Sequence, residues 1–154
     1  MYLALKLLHI AAVIVFLGNI TTGLFWHAHA ARTRDPKLLA HTMDGIIRSD
    51  RWFTLPGVVV IIAAGVYLAV YGHFPLLRTP WILWTLVLFA ISGAVFGARI
   101  APLQRELRAL AENGTRGRFD YEHNRALALR WEVWGAIALL TPVAGLALMV
   151  LKPA

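Results

Sequence analysis

The sequence predicts an all-α integral membrane protein: an antiparallel four-helix bundle with both termini outside the cell. Three observations carry this. The 154-residue chain is 59% hydrophobic and only 15% charged, far more apolar than a soluble domain of its size. Its apolar residues fall into four runs of about 20, each long enough to cross about 30 Å of hydrocarbon. The basic residues cluster between alternate runs, as the positive-inside rule requires.

The first span covers about residues 2–25 and contains Lys6 and His9. A cation and an imidazole are costly in lipid and should face protein, a cofactor or water. At 100° per residue, Tyr2, His9, Val13, Phe16, Ile20, Gly23 and His27 share one narrow stripe, with Lys6 one turn above His9 and slightly aside. This stripe is the expected working face. Ala28-His29-Ala30 mimics a signal-peptide cleavage site. The run has no basic segment before it and is too long for a signal core, so it is expected to remain as a span.

The segment from Trp26 to Arg51 predicts a short interfacial helix between spans one and two, with Asp35 as N-cap and Pro36 at its first position. Span two runs over about 52–71, with Pro56 in its first turns and Gly65 and Ala69 as a small packing face. Span three covers about 80–100, opens on Pro80 and carries Gly93-xxx-Gly97. Leu103, Leu107 and Leu110, alternating with Arg105, Glu106, Arg108 and Glu112, extend that helix to Asn113-Gly114. The last helix starts near Asp120, enters the membrane at Trp131 and gives a span at about 131–151. Pro142 within it frees a carbonyl one turn earlier and should kink the helix. The whole chain, 1–154, reads as one membrane domain.

The composition narrows the function. With no cysteine, disulfides, thiolate catalysis and iron–sulfur clusters are excluded. The net charge of +7 reflects loop asymmetry and predicts no nucleic-acid partner. The partner it predicts is the bilayer of the cell membrane, in a bacterium the inner membrane, crossed several times; a homo-oligomer is left open. No phosphate-binding loop, nucleophile elbow or HExxH motif is present.

His9, about 10 Å below the outer surface, is the sharpest candidate. A hydrogen bond to a neighbouring helix, a haem or metal bond and a proton relay all fit it. Met149 lies at similar depth in span four, and His/Met is an established haem ligation. Asn19, His27, Arg99 and Glu132 are further polar candidates. His27 sits about 27 Å from His9 on the same stripe. Glu132 should find a cation, Arg99 or Arg51, at the inner mouth. Asn19 suits an interhelical hydrogen bond. His41 and Asp44, three apart on the interfacial helix, suit a divalent metal or simple solvation.

Lys6-xx-His9 with Gly18 beyond it, the Trp81-led third span, Glu132-Val133 and the final Lys152-Pro153 form a recognisable set. Together with DRWFTLPG and LMVLKP it resembles a family of predicted four-span integral membrane proteins of unknown function. That family is similar to HemJ-type protoporphyrinogen oxidases and CopD-like copper resistance domains. The resemblance implies that His9 binds haem b, with a redox or porphyrin partner. In that arrangement Lys6 and Lys152 meet the propionates, and the sixth position is either taken by Met149 or open. The chain departs from the HemJ pattern at Phe25 or its neighbours, at about Thr85 and at Trp131, where that group carries arginine, lysine and asparagine; the loss of two cations that could hold propionates weakens the case for porphyrinogen oxidation and leaves haem binding open. The CopD-like alternative is copper transfer through His9 and Met149, or a non-catalytic accessory subunit.

Orientation is open to direct test. Loop one carries five Lys and Arg residues, loop two carries one (Arg78) and loop three carries seven. A reporter fused at Gly114 should behave as cytoplasmic and one fused after Ala154 as external; the reverse activities would invert the topology.

Overall fold

The computed structural model describes residues 1–153, and every described element is helical. The elements are α1 (Tyr2–Ala31), α2 (Pro36–Ser49), α3 (Leu55–Tyr71), α4 (Pro80–Val95), α5 (Ala101–Gly114) and α6 (Tyr121–Leu151). A π turn, Asp50–Thr54, joins α2 to α3, and a second, Phe96–Ile100, joins α4 to α5. The chain thus makes four long helical stretches, each long and apolar enough to cross a membrane: Tyr2–Ala31, Pro36–Tyr71, Pro80–Gly114 and Tyr121–Leu151.

Local sequence explains the ends. Asp35 accepts a hydrogen bond from the Lys37 amide and Pro36 takes the first helical position, so α2 starts where expected. Asp120 caps α6 in the same way through the His123 amide. Each π turn ends two residues before a proline, Pro56 or Pro102. A proline cannot donate to the carbonyl four residues back and clashes with it, and a widened turn relieves that conflict.

Two environments divide the molecule. Along the spans, large apolar side chains point outward: Leu3, Ile14, Val59, Leu140 and Val150 are all exposed. Their inward faces mix small residues, Ala64, Ala69, Gly135 and Ala138, with the buried Phe16, Ile61 and Ile82, and the small ones suit helices that pack in lipid by close approach. Beyond the π turns, at the end carrying the basic loops, the packing resembles a water-soluble core. Met43 and Ile46 of α2, Leu103 and Leu107 of α5, and Leu127 and Trp131 of α6 pack together there. The apolar face of α2 is therefore met by protein, chiefly α5, and α2 runs on into α3 as one helix rather than forming a separate element on the lipid surface.

The predicted stripe is the packing face of α1. Tyr2 stacks on Tyr71 with ring centroids 5.4 Å apart. His9 lies against Gly65, Phe16 against Gly57 and Gly23 against Ile46. The descending partner numbers make α1 antiparallel to the α2–α3 helix.

The four spans form a ring in the order α3, α1, α6, α4 that does not close. Among the described residues, the backbones of α3 and α4 stay apart, although α2 and α5, their continuations, pack together. The two helices diverge at their π turns. A simple up-down bundle would bring every sequential pair of spans into contact; this one leaves its second and third spans separated.

On the other side, α4 packs closely on α6. Pro142 leaves the Ala138 carbonyl without its helical donor, and the Ser92 hydroxyl donates to that oxygen at 2.7 Å. The α6 helix continues through Pro142 without interruption. Thr85 lies against Gly145 one and a half to two turns further on, its hydroxyl 3.2 Å from the Gly145 carbonyl. Ser92→Ala should therefore lower the unfolding free energy in detergent by about 0.6–1.7 kcal/mol, the range for interhelical hydrogen bonds in lipid. Thr21→Ala, which removes only a bond to its own helix, should leave it unchanged.

Candidate functional site

The opening between α3 and α4 leads into a cavity of about 280 Å³. Val58 and Ile62 of α3 face Phe89 and Gly93 of α4 across it, and Phe16, Ile20, Gly135 and Ala138 form its floor. Phe16 and Phe89 approach with ring centroids 5.5 Å apart, bridging the two halves of the ring. The walls are apolar until the π turns, where the chemistry changes.

Asp50, Thr54, Asn19 and Gln104 line that end. The first π turn supplies Asp50 and Thr54, four residues apart, and the Thr54 hydroxyl donates to Asp50 Oδ1 at 2.8 Å. Asn19 Nδ2, from α1, donates to the same oxygen at 3.0 Å and to Thr54 Oγ1 at 2.9 Å. Gln104 Nε2, just past the second π turn, donates to Asp50 Oδ2 at 2.8 Å. Asp50 is 8% exposed, Thr54 3% and Gln104 4%. One carboxylate thus joins three helices by neutral donors. Among the described residues, no Lys, Arg or His lies within 4 Å of it.

A second polar cluster lies next to this one. His27, 2% exposed, packs its ring on Trp131 at 4.8 Å between centroids, and Trp131 also lines the cavity. His27 Nδ1 stands 3.7 Å from Glu132 Oε1, and the Arg125 guanidinium 3.6 Å from the same oxygen. These separations are too long for direct hydrogen bonds, and His27 Nδ1, Trp131 Nε1 and Glu132 Oε1 are buried without hydrogen-bond partners. The cation nearest Glu132 is Arg125, two helical turns back on α6, and not Arg99 or Arg51. Arg99 instead lies over the Trp134 ring at 5.4 Å, and Arg51 is exposed.

The other sequence candidates lie apart. His9 is half-buried; a Cβ on Gly65 would come within 3.0 Å of its Cε1 and 3.4 Å of its Nδ1, so this edge of the ring lies close against the α3 backbone. Its Nδ1 is buried and makes no hydrogen bond of good geometry, although the Ile61 backbone, one turn before Gly65, interacts with the ring. Met149 is half-buried on α6, whose described side-chain contacts with α1, Leu24 on Gly135 and His27 on Trp131, lie near the basic end. Lys6 is exposed, and Lys152, at the left-handed C-cap of α6, is exposed over the Trp81 ring. The donor chemistry of His9 suits iron or copper, but the space beside its ring is taken by Gly65. Neither His9 nor Met149 lines the cavity. The residues as arranged fit a porphyrin poorly. Asp44 is held by Arg48 and Arg108 at 2.7 and 2.9 Å while His41 is exposed, so Asp44 is committed to salt bridges and not to His41. Among the described residues, no three His, Asp or Glu side chains converge as a metal site.

Sequence reasoning found Asn19 and missed its partners. Asp50 stands two residues before an apolar run, where a carboxylate needs an explanation, and Asp50 and Thr54 have helical i,i+4 spacing. Gln104 gives no such signal beside Arg105 and Glu106.

The profile of a family described as predicted integral membrane protein (DUF2269) matches residues 3–153. The chain belongs to this family. No curated protein and no solved structure matches the chain.

Removing Asn19 takes away one of the two donors to Asp50 Oδ1 and the donor to Thr54 Oγ1, while the Thr54–Asp50 bond remains. Asn19→Ala should cost about 1.5–3 kcal/mol of stability, the range for a hydrogen bond to a charged group. Thermal unfolding in detergent checks this, with exposed His29→Ala as the unchanged control.

Proposed function

We propose that this protein holds a lipid-soluble molecule in the cleft between α3 and α4, taking it sideways from the bilayer. The observation that carries the reading is the shape and chemistry of the cavity. It has apolar walls, one polar end and an open side between two membrane-spanning helices. Its volume, about 280 Å³, is close to the lower end of small-molecule sites, about 300–1,000 Å³. In the proposed orientation the basic end faces the cytoplasm, so the polar end of the cleft sits near the inner surface and the ligand's tail reaches toward the bilayer centre.

A second reading rests on His9. Its buried Nδ1, without a hydrogen bond of good geometry, favours a ligand there, and b-type haem or copper, with Met149 as the other ligand, is the cargo that the sequence resemblance suggests. It ranks below the cleft because the ring is packed on Gly65. A Soret band lost in His9→Ala and kept in His27→Ala would favour it.

Gly93 tests the cleft directly, because it lines the cavity and a Cβ there meets nothing within 4 Å. Gly93→Phe should narrow the cleft with a ring whose first carbon meets no neighbour. In lipid nanodiscs, a photoactivatable alkyl probe should label Val58 and Ile62 in the wild type, and several-fold less in Gly93→Phe. Labelling of lipid-facing Leu3 should be equal in both. Equal labelling of Val58 and Ile62 in the two proteins would contradict the reading.

A further inference from the structure

Building on the cleft reading, we propose that the ligand is a lipophilic amine: an apolar body whose protonated nitrogen binds the Asp50 carboxylate. The argument is an inventory of donors and charge at the polar end. Asn19 has two amide hydrogens on Nδ2, and both are used, one on Asp50 Oδ1 and one on Thr54. The single Thr54 hydroxyl hydrogen is used on the same Oδ1. Gln104 places one hydrogen on Oδ2. A carboxylate offers about four lone-pair sites. Two on Oδ1 and one on Oδ2 are filled, which leaves acceptor capacity on Oδ2. The network's surplus at the carboxylate is therefore an acceptor, and the complementary head group is a donor.

Charge narrows the donor. Asp50 is more than nine-tenths buried, has no cation within 4 Å, and its three partners are neutral. An uncompensated charge in such a place is costly: in the empty cleft a proton on the carboxyl relieves it, and a cationic head takes the place of that proton in a way that a neutral hydroxyl does not. A carboxylate or phosphate head would meet like charge. A bare metal ion would need several oxygens in a cage and leave the apolar walls unfilled. The cleft walls, from Val58 and Ile62 to Phe89, ask for a hydrocarbon or aromatic body behind the head.

The test uses three photoactivatable probes with the same twelve-carbon chain and an amine, alcohol or carboxylic acid head, applied to the full chain in nanodiscs of zwitterionic lipid. The amine should label Val58 and Ile62 on the order of tenfold more than the alcohol, equivalent to about 1.4 kcal/mol. The acid should label them least. Asp50→Asn should bring the amine down to the level of the alcohol. Should Asp50→Asn fail to fold, competition on the wild type decides: unlabelled dodecylamine should displace the amine probe, and dodecanoic acid should not. Labelling of the cleft that is equal for the amine and alcohol, or strongest for the acid, overturns the amine assignment while the cleft reading stands. Labelling that is insensitive to Gly93→Phe for all three heads overturns both.

Discussion

The Asp50 carboxylate is the constraint around which the rest is arranged. A charged group at the start of an apolar span is stable only if its neighbours come to it, and here they come from three directions: Asn19 from α1, Thr54 from its own turn and Gln104 from the start of α5. Each such bond to a charged group contributes about 1.5–3 kcal/mol. Together they fix how α1, the α2–α3 helix and the α4–α5 helix meet at one level.

The two π turns make that meeting compatible with an open cleft. Pro56 and Pro102 remove a backbone donor from each long helix at matching places, and the turns before them widen. On one side of the turns α2 and α5 pack as in a soluble bundle, around Met43, Leu107 and Leu127. On the other side α3 and α4 separate. The opposite wall is held shut by another consequence of proline: the Ala138 carbonyl freed by Pro142 is claimed by Ser92, which ties α4 to α6. Proline therefore acts in two ways, freeing the helix register beside the polar cluster and supplying an acceptor for an interhelical bond.

Much of this was legible in the residues. Hydropathy gave the four spans, and the Asp35 cap and the polar segment from Asp120 gave helix starts. Helical geometry gave the packing face of α1, because a stripe from Tyr2 to His27 needs only 100° per residue. The cleft was not legible, since it depends on which spans fail to touch, and that is decided by π turns that periodicity does not reveal. For the same reason nothing in the sequence pairs Asp50 with Gln104, 54 positions away. His9 drew attention for a sound physical reason, its cost in lipid. Its ring rests on the bare backbone of Gly65, a close contact that a small residue permits and that spacing alone does not predict.

Solid-state NMR in lipid bilayers tests the central claim most directly. With aspartate carboxyl carbons and Asn and Gln side-chain nitrogens isotopically labelled, the Asp50 carboxyl carbon should give through-space cross-peaks to both Asn19 Nδ2 and Gln104 Nε2. A third set, to Val58 or Ile62 from an added alkylamine whose nitrogen also contacts Asp50, should appear when the cleft is filled. An Asp50 carboxyl with no contact to Asn19 or Gln104 would contradict the account at its foundation.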